Sequence, residues 1–280
     1  MSSMPLISAI IPTYKREDTL KKAIETVIKQ TYKGDIEIII VDDSPAYNTH
    51  LENIKTPINR KIRYIYNGKP QGSPYARNIG IQQSKGEYVA FLDDDDRWLP
   101  EKTSKQLELM EKYKRCPLVI CYSHDMRFGQ DRIQKPPEVI SHKTIIKSFN
   151  LSSTSSYFVR KNLLNIMCKD KKYFDISLPS AQEYDLAIRL SMFDDVRCVP
   201  EVLIEQFACS GQISENWNRK IKGIKAIAKK YKHEYTIKDK VKTFGIVNLF
   251  RIAKIPGVGN KIYKIIIPIK KVYENTGGVA

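Results

Sequence analysis

Gly86-Glu87-Tyr88-Val89-Ala90-Phe91-Leu92-Asp93-Asp94-Asp95-Asp96-Arg97-Trp98-Leu99-Pro100 is the stretch from which the rest of the chain becomes readable. Tyr88 to Leu92 is a short apolar run of the kind that forms a buried strand. It leads straight into four adjacent aspartates, and Pro100 then opens an amphipathic helix reaching about Tyr113. Four carboxylates at the end of a buried strand repel one another unless a cation compensates them. A divalent metal bridging carboxylate and diphosphate oxygens is a natural partner. A solvated acidic turn or helix cap is the plainer alternative, although four acids exceed what one cap uses.

Upstream, strand and helix patterns alternate. Leu6 to Ile11 is an apolar run ending at Pro12, and Leu20, Ala23, Ile24, Val27 and Ile28 then fall at helical spacing. Ile36 to Val41 is a second buried strand closed by Asp42-Asp43-Ser44-Pro45, and Lys61 to Tyr66 is a third, followed by a turn-rich segment to Gly72. Pro74 to Gln83 has a helical pattern. Such alternation predicts an α/β fold, a mostly parallel sheet covered by helices on both faces. Ligands of such sheets sit beyond the carboxyl ends of the strands. Three ends carry polar chemistry: Pro12-Thr13-Tyr14, Asp42-Asp43-Ser44, and Asp93 to Asp96. Downstream the pattern is weaker. Leu118 to Ser123 and Ser155 to Arg160 are expected as strands, and Tyr184 to Met192 as a helix.

SAIIPTYKRED, IIIVDDSP, the Arg77-Asn78-Ile79-Gly80 segment and GEYVAFLDDDDRWLP, in that order and spacing, resemble the successive motifs of inverting glycosyltransferase family 2. The similarity covers roughly Leu6 to Ser214. It implies a GT-A, Rossmann-like catalytic domain that transfers a sugar from a nucleoside diphosphate-sugar to a hydroxyl acceptor. Carried over by position, Pro12, Thr13 and Tyr14 line the base pocket, and Asp43 hydrogen-bonds the base, most often uracil in this family. Arg77 lies near the base or diphosphate. Asp93 and Asp95 match the DxD pattern, with Asp93 and Asp94 on the donor side and Asp95 binding the Mn2+ or Mg2+ that holds the diphosphate. Each has a bland alternative: a strand end, a surface cation, a turn cap.

An inverting transfer also needs a carboxylate to deprotonate the acceptor hydroxyl. Ala181-Gln182-Glu183-Tyr184-Asp185-Leu186 resembles the family's acidic motif at a helix start, with Glu183 where an aspartate base usually stands and Asp185 in reserve. An acid favoured by the helix dipole is the alternative for both. A second departure is Cys209, where relatives often carry histidine. Cysteine is a soft ligand poorly suited to Mg2+, so metal binding is expected to rest on Asp95, the diphosphate and water.

The net charge of +16 is unevenly distributed. From Arg219 to Ala280 there are 16 Lys/Arg against 3 Asp/Glu, whereas the first 218 residues hold 31 against 28. The expected organisation is therefore a catalytic domain over 1–213, with a nucleotide-sugar half to about 115 and an acceptor half from 116, and a basic helical tail over 214–280. Ile221, Ile224, Ala228 and Tyr231 line one face of that tail. Further on, Ile262, Ile265, Ile266, Ile269 and Val272 alternate with lysines, a pattern suited to a helix lying on an anionic membrane. No base-reading or stacking motif accompanies the charge, which argues against nucleic acid. No run approaches the roughly 18 apolar residues of a spanning helix. With a strand expected from Leu6, no signal peptide is expected ahead of it. The expected location is cytoplasmic, peripheral on the membrane, and the expected acceptor is a glycan or a lipid-linked carrier. Five cysteines without a CxxC pair fit reduced, buried thiols. Two other readings remain: a sugar-phosphate nucleotidyltransferase, which favours a glycine-rich N-terminal loop that SAIIPTYKRED lacks, and a non-enzymatic basic adaptor.

Overall fold

The computed structural model describes residues 4–46, 54–129, 131–147, 151–168, 170–208 and 217–236. The chain divides into two compact units, Met1–Ile176 with Gln182–Ser210, and Ser177–Ala181 with Gly211–Ala280.

The first unit holds the sheet. Its strands are β1 (Ile7–Thr13), β2 (Ile36–Asp42), β3 (Arg60–Tyr66), β4 (Tyr88–Phe91), β5 (Asp96–Trp98), β6 (Leu118–Asp125), β7 (Arg132–Gln134), β8 (Val139–Ile140), β9 (Phe158–Arg160) and β10 (Val196–Gln206). Their order is β3-β2-β1-β4-β9-β6-β10-β5, with β7 beside β6 and β8 beside β10. The long pairings, β1 with β2 and β4, β2 with β3, and β6 with β10, are parallel. The antiparallel ones are two or three residues long. The helices are α1 (Glu17–Ile28), α2 (Ser73–Gln83), α3 (Lys102–Lys112), α4 (His142–Lys147), α5 (Lys161–Met167) and α6 (Gln182–Leu190).

All seven residues of β1 are buried, as a strand covered on both faces requires. Leu20, Ala23, Ile24 and Val27 of α1 join Ile7, Ala9 and Ile11 in one core cluster. On α2, a Cβ at Gly80 would lie 2.4 Å from Ile10 Cγ2, so glycine is what lets this helix rest on β1. The register sets Thr13 beside Asp42. Leu92 N–H still donates to Ile10 O at 3.0 Å, so the chain leaves the sheet at Asp93, next to the end of β1. The three polar strand ends thus meet along one edge.

In the second half β7, β8, α4 and α5 are not among the expected elements, and two further departures bear on the sheet. The strand expected over Ser155 to Arg160 begins only at Phe158, because Thr154–Ser156 is a 3-10 turn. β10 has no counterpart in the expected elements. Its pairing with β6 shifts register between Val199 and Ile204, around Pro200, which has no N–H for the ladder.

In the second unit, α7 spans Trp217–Lys230. Ile221, Ile224, Ile227 and Tyr231 are buried, while Lys222, Lys225, Lys229 and Lys230 are exposed. The helix is tied to the short segment of its own unit: Ser180 Oγ donates to Arg219 O at 3.0 Å, and Arg219 Nε to Pro179 O at 2.6 Å. The isoleucine and lysine pattern expected over Ile262 to Val272 lies outside the described residues, as does Cys209. Among the described residues no helix is long and apolar enough to cross a membrane.

Candidate functional site

The acidic turn leaves β4 after Phe91 and re-enters the sheet as β5 at Asp96. Asp96 N–H donates to Asp93 O at 3.0 Å, closing the turn. Of the first three acids, the Asp93 side chain is the open one, at 31% exposed against 7% for Asp94 and 9% for Asp95. Thr13, at the end of β1, donates its hydroxyl to Asp94 Oδ2 at 2.8 Å. Arg16 Nη1, just ahead of α1, stands 3.0 Å from both Asp94 Oδ1 and Asp95 Oδ2. Burial nevertheless pushes Asp94 up to about 6, with Arg16 opposing the shift. Burial, reinforced by the charges of Asp93 and Asp95, holds Asp96 well above the usual carboxylate range.

A hydroxyl beneath the turn organises it. Ser155, fully buried in the 3-10 turn, donates to Asp96 Oδ2 at 2.6 Å and accepts Asp93 N–H at 3.0 Å. Its carbonyl accepts the Trp98 indole N–H at 3.0 Å.

At the end of β2 the two acids divide their work. Asp42 accepts Ser44 N–H at 2.8 Å and the Tyr64 hydroxyl at 2.6 Å. Asp43 binds the segment leading to α2: Oδ1 accepts Asn67 Nδ2 at 2.9 Å, and Oδ2 accepts the amides of Gln71 and Gly72 at 3.1 and 2.7 Å. Gly72 has φ +90, a left-handed conformation that suits glycine. Asp43 therefore sets where α2 begins, and four residues into that helix stands Arg77. Its guanidinium meets Asp93 Oδ1 at 2.5 Å and lies 5.4 Å from the centroid of the Phe174 ring. Pro12 is buried in β1, whereas Tyr14 lies beyond the strand with 43% of its surface exposed.

The acids of α6 face different surroundings. Glu183 is half-buried, and burial raises its pKa above the ordinary glutamate value. Arg77 opposes that shift and Asp93 adds to it, so Glu183 lies within the field of the Arg77–Asp93 pair. Asp185 is fully buried, and its Oδ2 accepts Arg189 Nε at 2.9 Å. Arg189 also donates to Tyr173 O and to Cys168 Sγ. Asp185 is thus a strut between α6 and the 168–173 segment.

The structure brings Thr13, Arg77, Asp93, Asp94, Asp95 and Glu183 together and turns Asp185 toward Arg189. It adds Arg16 and Ser155, which the sequence reading missed. Arg16 lies inside the quoted SAIIPTYKRED motif, so a basic residue one turn past a polar strand end was a usable signal. Ser155 left none. For a divalent cation, Asp95 and Asp93 offer hard carboxylate oxygens of the type Mg2+ or Mn2+ takes, and no three His, Cys, Asp or Glu side chains among the described residues form a complete shell.

Comparison with known proteins bears on the family and the fold. The family model described as glycosyl transferase family 2 matches residues 8–173. An uncharacterized glycosyltransferase of Rickettsia conorii is 28% identical over 255 residues, covering 88% of this chain and 41% of the relative. The UDP-Glc:alpha-D-GlcNAc-diphosphoundecaprenol beta-1,3-glucosyltransferase WfaP of Escherichia coli is 34% identical over 165 residues, 58% of this chain and 64% of its own. The chain therefore spans less than two thirds of the length of either. Among solved structures, S. aureus TarS 1-349 in complex with UDP-GlcNAc matches with a TM-score of 0.60 at 19% identity, covering 79% of this chain and 65% of that one. At that identity the likeness is one of fold.

Proposed function

The chain belongs to glycosyl transferase family 2, and from that premise we propose that it moves one sugar, with inversion, from a nucleoside diphosphate-sugar to a hydroxyl of a glycan or lipid-linked acceptor. The observation that carries the reading is the Arg77–Asp93 ion pair at the carboxyl edge of the sheet, with Glu183 in the field of that pair. A UDP-linked donor is supported by the WfaP name and by the TarS complex. The diphosphoundecaprenol in the WfaP name supports a lipid-linked acceptor.

Each residue then has a chemical role. Thr13, Tyr14 and Asp43 border the nucleotide, Asp43 also fixing the 67–72 segment beside it. Arg77 holds Asp93 where the ribose and diphosphate lie. Asp95 is the residue that would hold a divalent cation, which supplies charge neutralisation for the departing diphosphate. Glu183 accepts the proton of the acceptor hydroxyl as its oxygen attacks the anomeric carbon. A raised pKa makes Glu183 a stronger base than an ordinary glutamate, provided the pH stays above that value. The catalytic domain in this reading is 1–213. The 214–280 tail, whose α7 exposes a row of lysines, rests on an anionic membrane surface from the cytoplasmic side.

Thermal unfolding with UDP and UDP-sugars, with and without Mn2+, tests the donor site. A ligand that binds the folded chain raises Tm by mass action, by about 2.7 kcal/mol of stability at a hundredfold excess over Kd. A Mn2+-dependent rise with UDP that disappears in Asp95→Asn is expected. No rise with any nucleotide at millimolar concentration would remove the donor site.

A further inference from the structure

Lys102, at the start of α3, has no exposed surface. Its ammonium donates to Gln106 Oε1 at 2.7 Å and lies 4.1 Å from the centroid of the Trp98 ring. No carboxylate among the described residues pairs with it, and burial lowers its pKa to about 8. An ammonium placed in a core without a counter-ion is unfavourable, and an apolar side chain of similar length would pack there at less cost.

The two contacts of that ammonium lead to one place. Gln106 Nε2 donates to Ser156 O at 2.7 Å and to Val119 O at 3.2 Å. The Trp98 indole donates to Ser155 O at 3.0 Å. Ser155 in turn holds Asp93 by its amide and Asp96 by its carboxylate. One arm runs along α3 and the other through β5, and both end on the 154–156 turn beneath the aspartates. The pair of arms fixes that turn at two consecutive carbonyls.

We propose that Lys102 is a positioning residue for the donor site, its buried ammonium holding Trp98 and Gln106 and, through them, the Ser155–Ser156 turn that sets Asp93 and Asp96. The proposal rests on the acidic turn being the donor site. The other titratable group facing Lys102 is Cys121 of β6, a thiol that burial pushes up to about 12 and that stays neutral across the range of interest. Asp96, two residues before Trp98 on β5, is not among the groups whose charge bears on Lys102.

The role predicts opposite pH trends for folding and for binding. A lysine with a lowered folded-state pKa binds fewer protons folded than unfolded, so stability rises as pH climbs from about 8 toward 10. The positioning contact weakens over the same interval, because the neutral amine loses its hold on the Trp98 ring. UDP affinity in the presence of Mn2+, measured by titration calorimetry from pH 7 to 9.5 beside urea unfolding, reads both. In the wild type, affinity should fall about tenfold while stability increases. Lys102→Met should be at least as stable as the wild type at pH 7, bind UDP about tenfold more weakly there, and lose the alkaline trend. Wild-type-like affinity in Lys102→Met, or an alkaline trend that persists in it, would overturn the proposal. If that variant does not fold, a wild-type affinity that is flat through pH 8 to 9.5 overturns it just as well. Absence of UDP binding in the wild type at any pH would instead remove the donor-site reading, and this inference with it.

Discussion

At the turn between β4 and β5, four aspartates are met by Arg16, Arg77 and the hydroxyls of Thr13 and Ser155, with the charges of Arg97 and Arg127 also acting on them. At the start of α6, Asp185 pairs with Arg189 of its own helix, whereas Glu183 lies in the field of Arg77 and Asp93. In the turn, the two arginines in ion pairs come from distant segments, Arg16 ahead of α1 and Arg77 on α2, and burial still leaves Asp94 and Asp96 shifted upward. In α6 the ion pair is local, Arg189 standing one helical turn beyond Asp185. The difference separates two uses of a carboxylate. An acid matched by a neighbour on its own helix holds structure together. Acids crowded into one turn, with Asp94 and Asp96 held above the usual carboxylate range, keep an affinity for something cationic or for a proton.

Substitutions that separate these uses sharpen the comparison. The largest effect belongs to Glu183→Gln, which should lower kcat by about a thousandfold, within the range of a lost general base, while leaving Tm and UDP binding near wild type. Activity within tenfold of wild type would mean that the base is another group. Next comes Asp185→Asn, which leaves Arg189 without its carboxylate inside the protein. A loss of about 3 kcal/mol in urea unfolding is expected, with UDP affinity unchanged at temperatures where the variant is folded. If Asp185→Asn kept its stability but lost turnover, the roles of the two α6 acids would be exchanged.

The smallest effect has the opposite sign. Asp94 is raised from 3.8 to about 6 in the folded chain, so the folded state holds this proton more tightly than the unfolded state. Its ionisation therefore disfavours folding, progressively between pH 4 and 6 and fully above that. Asp94→Asn should stabilise the metal-free protein at pH 7, by at most about 3 kcal/mol, and the gain should vanish on acidification to pH 4. A destabilised variant at neutral pH would show that the pairing with Arg16 and Thr13 outweighs the burial of the charge.

The two halves of the first unit were not equally legible. β1, β2 and β4 lie in the parallel part of the sheet, buried on both faces, and so appear as unbroken apolar runs. α1 and α3 show their buried faces as helical periodicity. β10 was hidden because Pro200 and the register shift interrupt its pattern, and β5 because three residues carry no period. Among site residues, the strand-end acids and Arg77 were found by position. Ser155 and Lys102 were not, since a serine in a turn and a lysine in a basic chain are unremarkable until their burial is known.

By itself, the order of residues determined that strands alternate with helices, that polar groups collect at three strand ends, and that the excess positive charge belongs to the last quarter of the chain. These are consequences of local periodicity and of composition, which need no knowledge of what lies opposite. Only the tertiary structure decided that Glu183 lies in the field of Arg77 and Asp93, that Asp185 pairs with Arg189, and that a buried ammonium underlies the acidic turn. Those outcomes depend on distances between groups far apart in sequence and on how much water each retains. Both are set when the sheet closes over its core.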